Sequence, residues 1–152
     1  MRRALALAAA LPSLILAACQ APPSGRGLDH DALDEAIATA IGDPDTCVLL
    51  ADRATKKVVY RYGEHMTCAK VLPACDRPGA LTADDALAFA EQGRTISCAS
   101  NPEVTRGVSW AEGRVKSAKR DLIYSAVMEG TRALPGMEIA TRLDSALAKA
   151  GV

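Results

Sequence analysis

The chain has 152 residues, and its 18 Lys and Arg balance 18 Asp and Glu for a formal net charge of zero. A general nucleic-acid binder shows a concentrated basic surface, so this balance argues against nucleic acid as a partner. Aromatic residues are only 3% of the chain, which leaves Ala, Val, Leu and Ile to build any core.

Residues 1–18 open with the charged Met1-Arg2-Arg3, followed by an apolar run from Ala4 to Ala18 interrupted only by Pro12 and Ser13. This is the layout of a secretory signal peptide: basic start, short apolar stretch, small residues before the cut. The run is shorter than the roughly 20 apolar residues that span a bilayer as a helix. Leu16-Ala17-Ala18-Cys19 then resembles the lipobox of bacterial lipoproteins. The resemblance implies that Cys19 receives a diacylglyceryl thioether, becomes the first residue after cleavage and is acylated on its amine. It also implies attachment to a bacterial membrane through that lipid, facing the periplasm. Gln20 beside Cys19, where an Asp would retain the chain, implies the outer membrane. An ordinary signal peptide with an incidental cysteine is the alternative.

Loss of residues 1–18 removes Arg2 and Arg3 and leaves 134 residues, with 16 Lys and Arg against 18 Asp and Glu. That length suits one domain. Residues 19–28, the lipidated cysteine and a Pro- and Gly-rich stretch, read as a flexible tether, and residues 29–152 as a single α+β domain.

From Asp29 to Ile41, Leu33, Ile37 and Ile41 recur every four residues, Asp29 and Asp31 suit the positive helix start, and Gly42 with Pro44 ends it. Cys47–Ala51 and Val58–Tyr62 read as two strands of a hairpin whose linking turn lacks glycine. Residues 63–81 show no period and read as an irregular loop. Thr82-x-x-Asp85 has capping-box spacing and opens a helix ending at Gly93. Strands follow at Thr95–Cys98, Gly107–Ala111 and Leu122–Met128. A closing helix carries Pro135 in its first turn, an Ile139, Leu143, Leu147 stripe and Gly151 as its stop. The order predicts a small antiparallel sheet of about five strands, packed with N-terminal, middle and C-terminal helices.

Four cysteines follow Cys19: Cys47, Cys68, Cys75 and Cys98. An even number in an exported chain reads as two disulfides, with three pairings open. Cys47 begins the first strand and Cys68 follows the end of its antiparallel partner, which favours Cys47 with Cys68 and Cys75 with Cys98.

The element order and several short stretches resemble the penicillin-recognising serine enzymes, the serine β-lactamases and transpeptidases. Cys47–Tyr62 resembles their strand pair, and Leu72-Pro73-Ala74-Cys75 falls where their nucleophile motif begins. Leu81-Thr82-Ala83-Asp84-Asp85-Ala86-Leu87 is similar to the start of a following helix, and Ser109-Trp110-Ala111-Glu112-Gly113 to their strand written Trp-Phe-Val-Gly. The departures are plain. Cys75 stands at the nucleophile position with Pro78 three residues on, and no Ser-x-x-Lys occurs in the chain. The resemblance therefore implies a shrunken sheet without the family's machinery, retaining at most ligand binding or a thiol acyl transfer through Cys75. A roadblock- or profilin-like domain has the same element order and implies a binding module.

Other chemistry is thinner. A thiol nucleophile needs a lowered pKa beside His or a cation, and His65 lies three residues from Cys68. His65, Cys68 and Cys75 with Cys47 or Cys98 have zinc-type donors, but not the paired Cys-x-x-Cys spacing of a zinc site. Neither a metal nor a cofactor is expected. Gly107-Val-Ser109-Trp-Ala111 comes within one residue of a nucleophile elbow, which needs a strand-to-helix turn after the serine. Arg114, Lys116, Lys119 and Arg120 cluster in one turn, with Arg106 counted beside them. On a tethered domain they form a surface for anionic lipid, an envelope protein or cell-wall polymer. The function expected is a non-catalytic structural or partner-binding role at the cell envelope.

Overall fold

A computed structural model describes residues 27–116 and 120–152. Helix α1 (His30–Ile41) leads into β1 (Thr46–Asp52) and β2 (Val58–Tyr62). A short helix α2 (His65–Cys68) and the two-residue strands β3 (Leu72–Pro73) and β4 (Ala80–Leu81) follow. Next come α3 (Ala83–Ala86), a 3-10 helix (Leu87–Gln92) and β5 (Thr95–Ala99). Strands β6 (Gly107–Arg114) and β7 (Leu122–Gly130) precede helix α4 (Gly136–Lys149). The main sheet has the order β2-β1-β7-β6-β5, antiparallel throughout, and the fold is α+β as its pattern predicts.

The sheet is covered on both faces. Val48, Leu50, Tyr124, Ala126 and Met128 meet Leu33, Ile37 and Ile41 of α1 and Ile139, Leu143 and Leu147 of α4. Cys47, Leu49, Ala51, Val108, Trp110, Ile123 and Val127 point the other way, under Leu72, Ala83, Ala86, Leu87 and Ala90. Burial on both faces explains why β1 reads as an unbroken apolar run, since alternation appears only where one face is wet. Close contact also fixes where α4 begins. A Cβ on Gly136 would stand 2.4 Å from the Trp110 carbonyl oxygen, so only glycine lets the helix cross the β5–β6 ladder here.

Local signals hold at both long helices. The Asp29 carboxylate accepts the Ala32 amide at the start of α1, and Pro135 stands one residue before α4, not inside it. Four stretches differ from the sequence pattern. The glycine-free β1–β2 turn closes with Lys56 at φ 60°, and a bulge falls between Leu50 and Ala51. The capping-box helix runs four residues and tightens into the 3-10 helix before Gly93, although Thr82 and Asp85 form both reciprocal bonds. Part of the supposed loop 63–81 is ordered as α2 and the β3–β4 pair, elements too short to give any period. The expected strands β6 and β7 extend further than their apolar runs, to Arg114 and Gly130.

Candidate functional site

The basic turn joins β6 to β7. Arg114 ends β6 and Lys116 reaches Asp144 of α4, which raises the lysine pKa. Arg120 lies in the same turn, while Lys119 lies outside the described residues. Beside it stands the β1–β2 turn, joined through the Arg53 amide to the Asp121 carbonyl at 3.0 Å and the Arg53 guanidinium to the Asp121 carboxylate at 3.1 Å. Glu91 accepts Arg53 at 2.7 Å and lies 3.6 Å from Lys56 and 4.0 Å from Arg114, and the Arg53 bond holds its carboxyl below the usual value. Two carboxylates, Glu91 and Asp121, thus serve the three cations Arg53, Lys56 and Arg114. Arg106 does not belong to this group. It precedes β6 at the opposite end, about 25 Å away at the usual rise per strand residue.

The four described cysteines form Cys47–Cys68 and Cys75–Cys98, with Cα separations of 5.2 and 5.5 Å. Cys47–Cys68 ties α2 to β1, and Cys75–Cys98 ties the loop after β3 to β5. With both sulfurs bonded, Cys68 and Cys75 carry no thiol, and acyl transfer through Cys75 would first require its bond to open. Among the described residues no three His, Cys, Asp or Glu are grouped to hold a metal ion. Ser109 lies mid-strand in β6, where its hydroxyl donates to Ser97 at 2.8 Å, and the Ser97 oxygen accepts the Gly136 amide. No strand-to-helix turn follows it, so this serine is a sheet-to-helix brace. Tyr60 is core: burial and its bond to Asp34 raise its hydroxyl pKa. Cys19 lies outside the described residues.

Two buried carboxylates were not singled out in the sequence. Glu112 is fully buried in β6 and is clasped by Arg94, at 2.7 Å and 3.0 Å. Arg94 also donates to the Ala74 carbonyl and to Asp76, and it shares the Phe89 ring with Arg77. Glu129 in β7 accepts two guanidinium N–H groups of Arg106, from Nε and Nη2, at 2.7 Å each, together with Lys70 at 2.7 Å and Ser100 at 2.8 Å. The available signal was an acid inside an apolar run, Trp110-Ala111-Glu112 and Val127-Met128-Glu129. Every oxygen of both groups is committed within the domain, so they bind its parts together.

Arg106, ahead of Lys70 and Ser100, holds the Glu129 pKa down to about 2 against an ordinary 4.5. A depressed carboxylate stabilises the fold above its unfolded pKa and loses that contribution as pH falls toward the folded value. Between pH 5 and 2.5 the native chain should lose about 1 kcal/mol more than Glu129→Gln, a figure discounted because Arg106 and Lys70 are partly exposed. Urea unfolding across that range reads it, and parallel losses in the two proteins would refute it.

Compared with protein-family models, curated proteins and solved structures, the chain matches none.

Proposed function

We propose that this chain is a lipid-anchored cell-envelope domain with a structural or partner-binding role and no catalysis of its own, held to the periplasmic side of a bacterial outer membrane through Cys19. One observation carries the reading. The chain has five cysteines, the two disulfides use four of them, and the fifth is the cysteine of Leu16-Ala17-Ala18-Cys19. Disulfides persist in oxidising compartments, so the domain and its N-terminal address agree. The internal commitment of Glu112, Glu129 and Ser109 supports a binding or structural role over chemistry.

Expression of the full chain in a Gram-negative host, followed by membrane fractionation and mass spectrometry of the N-terminal peptide, tests this. The expected product begins at Cys19, carries a diacylglyceryl group and an amide-linked acyl chain, and sediments with membranes; Cys19→Ala loses all three properties. A wild-type chain cut elsewhere and free in the periplasmic fraction would defeat the proposal. Incubating the oxidised protein with a β-lactam addresses the acyl-transfer alternative, for which a covalent adduct on Cys75 is the required result.

A further inference from the structure

The charged turns and the start of the domain share one end of the sheet. Helix α1 finishes at the Thr46 end, where its Ile41 carbonyl accepts the Thr46 hydroxyl, so its first turn lies toward the far end. There His30 packs edge-on against Tyr60, and Leu28 joins the same core as Val115, Leu122 and Val152. Helix α4 runs antiparallel to α1, with Arg142 bonded to the Ala40 carbonyl, and its last turns close over Val115 beside Lys116. Chain arriving from Cys19 therefore enters at the end that carries both the β1–β2 and the β6–β7 turns.

We infer that this end of the domain faces and contacts anionic lipid headgroups, with Lys56, Lys57, Arg114 and Lys116 as the contacting cations. The inference rests on the anchoring at Cys19 proposed above. Eight residue steps separate Cys19 from Gly27, a fully extended reach of at most roughly 30 Å, so the entry end is kept near the headgroups. The Lys116 side chain is 80% exposed and those of Lys56 and Arg114 about half exposed, so the charges are presented to solvent. Acids are present too: Asp52, Glu91, Asp121 and Asp144 in and beside the turns, and Asp29 and Asp31 at the α1 start. Glu91 and Asp121 are paired with Arg53 between the two turns, and the Lys116 side chain stands further into solvent than either carboxylate. Position selects lipid over cell-wall polymer. Cations on the tether's own side meet the membrane surface, where an anionic leaflet attracts basic residues within about a Debye length.

The test uses the lipidated full-length protein on phosphatidylcholine vesicles with and without phosphatidylglycerol, probed with a soluble amine-acylating reagent and peptide mass spectrometry. With about 30% phosphatidylglycerol, acylation of Lys56, Lys57 and Lys116 should fall roughly threefold relative to Lys70 at the opposite end, and about 0.5 M salt should restore it. Lys116→Glu combined with Lys57→Glu should abolish the protection of Lys56. A Lys116-to-Lys70 labelling ratio unchanged by phosphatidylglycerol, with the protein floating on both vesicles, overturns the inference alone. A chain that floats with neither vesicle overturns the anchoring itself, and this inference with it.

Discussion

Replacing Arg94 with Met should destabilise the domain by about 3–5 kcal/mol, the usual cost of removing one partner from a buried ion pair. Arg94 is nearly buried and Glu112 fully so, and the guanidinium supplies both hydrogen bonds that reach the carboxylate. Burial already raises the Glu112 pKa, and Arg94 is the main group opposing that rise. Without Arg94 the carboxyl pKa climbs further above its unfolded value. The sign then follows: a raised carboxyl contributes most stability below its unfolded pKa and loses it as pH rises toward the folded one. The variant should therefore be closest to wild type near pH 4 and furthest from it above neutrality. Glu112→Gln added to Arg94→Met removes the charge and should flatten the pH dependence while restoring part of the loss. Urea unfolding at several pH values decides the matter. A deficit of the same size at every pH would mean that Arg94 acts through packing on Phe89 alone, contrary to this account.

Loss of either disulfide should cost about 3 kcal/mol, because each closes a loop of just over twenty residues. Removing both approaches the 5–15 kcal/mol that holds a typical domain. The damage should be one-sided. Cys47 and Cys68 are buried and Cys75 and Cys98 partly buried on the face opposite α1 and α4, and the other face contains no sulfur from cysteine. After reduction, amide exchange should quicken most over residues 63–98, while α1, α4, β1 and β7 remain the slowest. Uniform acceleration across both faces, or an unchanged unfolding midpoint, would contradict this division of labour.

What the sequence made legible follows from how local each signal is. Leu33, Ile37 and Ile41 mark α1 and Ile139, Leu143 and Leu147 mark α4 because a helix buries one stripe at its own period. The hairpin and the capping box also follow from short-range order, and the disulfide partners follow from the hairpin, whose second strand returns Cys68 to the side of Cys47. The Arg94–Glu112 pair bridges 18 residues and Arg106–Glu129 bridges 23, distances over which charge leaves no periodic trace. Placing Arg106 with the basic turn failed for a related reason: eight residues of strand carry the chain to the other end of the sheet, where eight of helix would not. Lys56 shows a third limit, since a side chain held at positive φ by the surrounding turn is invisible to a search for glycine.

The strand order also bears on how oxidation finds its product. Cys47 sits on β1 and Cys98 on β5, with β7 and β6 between them. Three interstrand steps put those two positions about 14 Å apart, twice the roughly 7 Å limit between α-carbons that a disulfide can bridge. Of the three ways to join four cysteines, the one containing Cys47–Cys98 is closed as soon as the strands are laid side by side, before any thiol has lost an electron.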